Sequence, residues 1–299
     1  MKLLGVEAID IAGLANGVYR FVNASGQAHA RVLIRGGPGT GKTRLLQLIL
    51  AAREVLATGI REHQQDSFIR PENKTAKVVL SWELNAEEQA MIGSPTQTVS
   101  TEVIFTGEED DDYAVDQRMC FLLERYGHDD ATPKLEYFSA RRRLDVGGGE
   151  VGLGEEEQFG MRTDPSPRKF CWVPVFLDHL VEAPEKSARF AETLSRFSPS
   201  CAYDVRRHVL TSRGRVLGSL AELTASEADA VIFAATAAMV GLSNSIVLVD
   251  GPELHGIRAE RAMAGLSALG AENQLIVATS SPTFASAFDG AIVDLGAGR

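Results

Sequence analysis

The chain has few cysteines, and they are placed where they cannot act together. Cys120, Cys171 and Cys201 are widely separated and odd in number, and no C-x-x-C pair occurs. That excludes a disulfide framework and a cysteine zinc site and leaves buried thiols. No stretch approaches the roughly 20 apolar residues of a membrane span. The N-terminal MKLLGVEAID turns acidic where a signal peptide would stay apolar. A cytoplasmic protein is therefore expected, and transport would need a separate membrane subunit. Basic excess is lacking too. With 30 Lys and Arg against 40 Asp and Glu the net charge is −10, which argues against a surface that binds nucleic acid everywhere and leaves room only for a local patch. The acidic run at 108–112 reads as a solvated loop. There is no internal repeat and no sustained heptad pattern. What remains is an ordinary globular composition, 44% hydrophobic and 23% charged over 299 residues, enough for one large α/β domain or two small ones.

The most specific pattern is GGPGTGKT at 36–43, a full match to G-x-x-x-x-G-K-[ST]. Its flanks are those the mechanism requires. Residues 31–34 (RVLI) read as a short buried strand. From Arg44 onward, Leu45, Leu48, Ile49, Ala52, Val55 and Leu56 share one helical stripe, with Gly59 placed to end the helix. Gly36, Gly37, Pro38, Gly39, Thr40 and Gly41 form a loop whose backbone N–H groups can turn inward around phosphates. Lys42 adds a point charge, and Thr43 a hydroxyl for Mg2+, at the positive end of a helix dipole. The pattern implies nucleoside triphosphate binding.

Upstream, two apolar stretches around Asn16-Gly17 and Ser25-Gly26 suggest an antiparallel start. Residues 77–84 (KVVLSWEL) and 100–105 (STEVIF) read as further strands of a β subdomain, and 135–138 (LEYF) as another strand, followed by Arg141, Arg142 and Arg143. That triplet reads as a solvated basic face, with contact to phosphate or a partner as the other reading. Residues 147–168 are rich in glycine, acid and proline and read as a flexible segment. Helical patterns dominate 176–242, broken near Pro199 and Gly214.

In the last third, 245–250 (SIVLVD) is an apolar run closed by an acid, as in a buried parallel strand that delivers a carboxylate to its C-terminal end. Residues 274–282 (QLIVATSSP) repeat the pattern. The 259–269 segment is a crossover helix ended by Gly270, and 291–295 (AIVDL) closes the sheet.

The order of these motifs resembles the ATP-binding-cassette (ABC) ATPases, in the soluble branch of the chromosome-maintenance, recombination-mediator and overcoming-lysogenisation-defect proteins. There a phosphate loop precedes a β subdomain, a helical lobe, a signature turn opening a helix, a strand ending D-E-P-E-x-H, and a strand ending T-H-S-P. Here DGPELH stands at 250–255 and TSSP at 279–282. A hexameric AAA+ reading rests on PGTGKT alone and would place the strand-plus-acid element much nearer the phosphate loop. The resemblance implies an α/β P-loop NTPase of ABC type: a mixed or parallel core sheet with an antiparallel β subdomain and a helical lobe. It implies a single domain over 1–299, divided into the phosphate loop and β subdomain (1–145), a flexible loop and helical lobe (146–225), and the signature helix with the later strands (226–299).

The resemblance assigns Thr43 and Asp250 to Mg2+ and ATP to the loop. It also exposes departures. The Walker B glutamate that polarises water is Gly251, and the switch histidine is Ser280, which donates a hydrogen bond but carries no charge. The signature turn falls on 223–227 (LTASE), so Thr224 keeps the hydroxyl while Ser226 replaces a glycine. Thr224 with Glu227 equally satisfies a plain capping box. Glu253, or else His255 or Glu260, could take over as base after a loop shift. Tyr19 or Phe21 stands where the family stacks an aromatic on adenine, and no glutamine follows the 135–138 strand where the family has one. The expected function is a nucleotide-gated dimer, switch or scaffold, with slow or absent hydrolysis. The alternative is an active ATPase in DNA maintenance or phage defence, alone or completed by a competent partner. Partners are a second copy or another ATPase subunit, and nucleic acid or an acidic partner through Arg206, Arg207, Arg213 and Arg215.

Overall fold

A computed structural model describes residues 1–56, 63–107, 113–114, 117–128, 134–144 and 161–296. The acidic run at 108–112, Gly59 and the 147–160 part of the glycine-rich segment lie outside them. The strands, in chain order, are β1 Lys2–Ile9, β2 Gly17–Arg20, β3 Arg31–Arg35, β4 Ala76–Glu83, β5 Thr98–Phe105, β6 Tyr113–Ala114, β7 Leu135–Phe138, β8 Cys201–Asp204, β9 Val209–Ser212, β10 Arg215–Val216, β11 Ile246–Asp250, β12 Gln274–Thr279 and β13 Ala291–Asp294. The helices are α1 Lys42–Leu56, α2 Ala86–Ile92, α3 Gln117–His128, α4 Val173–His179, α5 Pro184–Phe197, α6 Ala225–Val240, α7 Ala259–Ser267 and α8 Pro282–Ala287.

Side-chain alternation explains the layering. In β3, Val32 and Ile34 enter one core and Leu33 the other. In β11, Ile246 and Leu248 oppose Val247 and Val249, and in β12, Ile276 and Ala278 oppose Leu275 and Val277. Strands apolar on both faces need cover on both, as a parallel sheet does. That sheet has the order β13-β3-β12-β11-β7, and every pairing in it is parallel. One face is covered by α1 and by the antiparallel sheet β2-β1-β4-β5-β6. α1 packs against strands of both sheets, which is why Leu46, Leu50 and Ala51 are buried as well as the predicted stripe, of which Val55 alone is only partly buried. The other face carries the helical lobe, with α6 at its centre and buried almost throughout from Glu227 to Val240.

The lobe departs from the helical reading of 176–242 at one place. Between α5 and α6 the chain folds into a small antiparallel sheet, β10-β9-β8. Its turns use Asp204, whose carboxylate accepts the N–H groups of Arg206 and Arg207, and the pair Arg213-Gly214, both at positive φ. Strands of four residues or fewer are too short for a period-two pattern to emerge from sequence. Among the described residues no helix is long and apolar enough to cross a membrane.

Candidate functional site

The C-terminal ends of β3, β11 and β12 lie side by side, and each leads into a turn that carries candidate residues. After β3, the 36–41 loop wraps back on itself. Lys42 Nζ donates to the carbonyl oxygens of Gly36 and Gly37 at 2.8 and 2.6 Å, and Thr40 Oγ1 donates to Gly37 O at 3.0 Å. Gly41 has φ +95°, and a Cβ there would stand 2.6 Å from the Gly13 carbonyl oxygen and 2.7 Å from Leu14 Cδ2. Only glycine fits both the dihedral and the approach of the 13–14 backbone. The loop thus ends against the N-terminal segment and opens α1 at Lys42.

After β11, Asp250 is 4% exposed, and its Oδ2 accepts the Thr43 hydroxyl at 2.7 Å. Residues 207 positions apart therefore meet, as the resemblance implied. Burial pushes the Asp250 carboxyl above the ordinary carboxylate value and Glu253 adds to this, while the Thr43 hydrogen bond, Arg142 and Lys42 pull it down. A hydroxyl and a carboxylate oxygen are hard donors, suited to Mg2+, which takes its remaining positions from water and phosphate. Among the described residues no group of three or more His, Cys, Asp or Glu gathers as a self-sufficient metal site.

Gly251 follows in the left-handed region at φ +56°. Its N–H donates to Ala278 O at 2.9 Å, and its carbonyl accepts from Leu254 N at 3.1 Å and Arg142 Nη2 at 3.0 Å. The turn brings Glu253 to the end of β12, where Oε1 accepts from Thr279 Oγ1 at 2.7 Å and from Ser280 N at 3.2 Å. Glu253 Oε2 is buried and has no hydrogen-bond partner among the described residues. Ser280 itself is exposed.

Arg142 is not part of a solvated face, contrary to the reading of the 141–143 triplet. It is fully buried and ion-paired with Asp229 on α6, Nε to Oδ1 at 2.5 Å. Removing one partner of such a pair leaves a buried charge at a cost of about 3–5 kcal/mol. No local signal separates it from Arg141 and Arg143, since Asp229 is 87 positions away.

The Thr224 turn forms the capping box. Thr224 Oγ1 accepts from Glu227 N and donates to Glu227 Oε2, which also accepts Thr224 N–H. Glu227 Oε1 accepts the Ser212 hydroxyl at 2.5 Å. Burial raises the Glu227 carboxyl, but these hydrogen bonds together with Arg213 outweigh it and hold the group below its ordinary value. Thr224 and Ser226 hydrogen-bond within their own turn and, among the described residues, not to the 36–43 loop. Arg206, Arg207, Arg213 and Arg215 are exposed on the small sheet, with Arg215 paired to Glu222 at 3.0 Å.

Of the two aromatic candidates, Phe21 is fully buried in the core. Tyr19 is half-buried, with its hydroxyl donating to Ala15 O at 2.7 Å, and it lines a cavity of about 580 Å3 beside the loop with Leu14, Gly39, Thr40, Arg70 and Leu295. Arg70, which nothing in the sequence singled out, is held there by Leu14 O and Asn16 Oδ1.

A phosphate-type loop, a strand-end acid on its threonine, an antiparallel flank and a helical lobe on one parallel sheet make up an α/β P-loop NTPase fold of ABC type. The solved structures of similar fold agree. The SmcHead bound to the C-winged helix domain of ScpA superposes with a TM-score of 0.60 at 13% identity, over 98% of this chain and 94% of that one. The SMC head domain from Thermotoga maritima superposes at 0.52 and 16% identity, again over 98% and 94%. No protein-family model matches the chain, and no curated protein matches it by sequence.

Proposed function

We propose that this chain binds ATP with Mg2+ and acts as a nucleotide-gated dimer, a switch or scaffold in which hydrolysis is slow or absent. The observation that carries this reading is the contrast within one turn. The Asp250–Thr43 pair is formed at 2.7 Å beside Lys42, while the next position is a glycine in a left-handed turn with no side chain to polarise water. Thr43 and Asp250 would hold the ion, whose charge would offset that of the phosphates. Gly36 to Lys42 would hold the phosphates, and the cavity beside Tyr19 and Arg70 has the size of a nucleoside site. In the dimer each phosphate loop faces the other copy's Thr224–Ser226 turn; a second ATPase subunit is the other partner. The likeness to SMC heads supports a cytoplasmic role in chromosome maintenance. That one of those heads is bound to a winged-helix domain supports a protein partner. The exposed Arg206, Arg207, Arg213 and Arg215 suit nucleic-acid backbone or an acidic partner.

A second reading is favoured by Glu253, whose unpartnered Oε2 beside Ser280 N would allow it to serve as a relocated base in an active ATPase. Light scattering with and without Mg-ATP, run with phosphate release and with Lys42→Ala as the blank, separates the two. Association without phosphate release is expected. Turnover in the unaltered chain that disappears in Glu253→Gln would overturn the switch and leave an ATPase.

A further inference from the structure

The Arg142 guanidinium joins three elements at one point. Nε and Nη2 hold both oxygens of Asp229 at 2.5 and 3.0 Å. Nη1 donates to Ser139 O, just beyond β7, at 3.0 Å and to Asp250 O, at the end of β11, at 2.8 Å. Nη2 also reaches Gly251 O at 3.0 Å. Asp229 lies on α6, in the second turn after the Thr224 N-cap, and the Phe233 ring one turn further on stands 5.0 Å from the guanidinium carbon. His255 Nδ1 also faces Asp229, 4.0 Å from Oδ1, and is partly exposed.

A guanidinium is planar, permanently charged and fixed in its donor directions. A displacement of the 250–251 peptide against α6 by about 1 Å would carry at least one of these contacts out of hydrogen-bond range. The other side of the same peptide is also tied, because Asp250 Oδ2 accepts from Thr43 and Gly251 N donates to Ala278 O. A continuous chain of short contacts thus runs from Thr43 through Asp250, Arg142 and Asp229 to the first turns of α6, where Glu227 caps Thr224.

We propose that Arg142 and Asp229 are positioning residues that lock the Asp250–Gly251 turn to the N-terminal end of α6, so that the ligand state of Thr43 and Asp250 is transmitted to the Thr224 turn. The proposal rests on the nucleotide reading above and adds to it the link by which one end of the site informs the other. It takes the place, on this chain, of any contact from a glutamine after β7. What the geometry supplies is contiguity, and the coupling itself is what the exchange experiment reads.

Hydrogen exchange on the full chain, with and without Mg-ATP, tests it without requiring a dimer. Asp229→Asn keeps the side-chain shape and removes the charge. The double variant Arg142→Met, Asp229→Leu removes both buried charges together but leaves the Ser139, Asp250 and Gly251 carbonyls without their donor, so a urea midpoint is measured beside it. In the unaltered chain nucleotide should slow exchange at 36–43 and at 225–231. In both variants nucleotide affinity should stay within about threefold, slowing at 36–43 should persist, and slowing at 225–231 should fall by roughly tenfold or more. Arg142→Lys, which can hold Asp229 but not span both carbonyls, should recover part of it. Equal slowing of 225–231 in variant and unaltered chain would overturn the coupling, as would a parallel loss of affinity. Absence of slowing at 36–43 in the unaltered chain would instead sink the nucleotide reading and the coupling with it.

Discussion

Gly251→Glu puts into the turn the carboxylate that stands at this place in the ATPases the sequence resembles, and the geometry of this turn opposes it. At φ +56° a residue with a Cβ pays about 1–2 kcal/mol for the left-handed conformation. The turn cannot relax to avoid this, because the N–H is held by Ala278 O and the carbonyl by Arg142 and Leu254 N. The new Cβ would lie 2.4 Å from Leu254 Cδ1 and 2.7 Å from Cγ. Leu254 is 57% exposed, so its side chain can swing into solvent and the steric part resolves by a rotamer change. The backbone term stays. Gly251→Glu and Gly251→Ala should therefore lose the same stability, about 1–2 kcal/mol each, since the Cβ and not the carboxylate sets it. By thermal unfolding that corresponds to a fall of roughly 2–8 °C at 2–4 °C per kcal/mol. Phosphate release in Mg-ATP should not rise in Gly251→Glu, because the left-handed turn directs the Cβ at Leu254. Unchanged stability in Gly251→Ala, or turnover gained in Gly251→Glu at full stability, would refute the left-handed turn and reopen position 251 to catalysis.

Asp250→Asn should uncouple metal from nucleotide and change the pH response of the fold. Burial holds the Asp250 carboxyl above its unfolded value, so the native state binds more protons in the window between the ordinary value of about 3.9 and the raised one. Stability from this group is present below that window and lost as pH rises through it. Urea denaturation across pH should show this fall in the unaltered chain and not in Asp250→Asn, while Mg2+ ceases to strengthen nucleotide binding. Tyr19→Ala should weaken nucleotide binding by the roughly 1–3 kcal/mol of a base–aromatic stack and leave stability nearly intact. Phe21→Ala should do the reverse, with about 3–5 kcal/mol lost from the core. A fluorescent-nucleotide titration beside a urea curve tells them apart.

The features legible in sequence are those in which neighbouring residues define the chemistry. GGPGTGKT carries its own glycines, lysine and hydroxyl, and SIVLVD carries both the burial of β11 and the acid at its end. That SIVLVD carries its acid to the C-terminal end of a buried parallel strand was legible, while the meeting of Asp250 with Thr43 came from the resemblance. The strand order was not legible, since β3 lies between β13 and β12, strands distant from it in the chain. Nor was Arg142, the middle of three identical residues, distinguished only by a carboxylate on another element. The same limit hid the choice between Tyr19 and Phe21, two positions apart, one half-buried and lining a cavity and the other fully buried in the core.

The two readings of the Thr224 turn are compatible. The capping box uses the Thr224 hydroxyl in both directions, as acceptor from Glu227 N and donor to Glu227 Oε2. A phosphate that sought this hydroxyl would have to displace a cap worth about 0.5–2 kcal/mol. The backbone offers a cheaper contact. The first intrahelical bond of α6 runs from Ala228 N to Thr224 O, so the N–H groups of Ala225 and Ser226 precede it at an exposed helix start. An anion from a facing copy could be received there while the cap stays closed. Closing the cap also orients the donors, because Glu227 is anchored through Ser212 to the small sheet and held ionised by its hydrogen bonds. The Ser226 side chain stands beside these donors, its hydroxyl 3.3 Å from Thr224 Oγ1. It does not remove them.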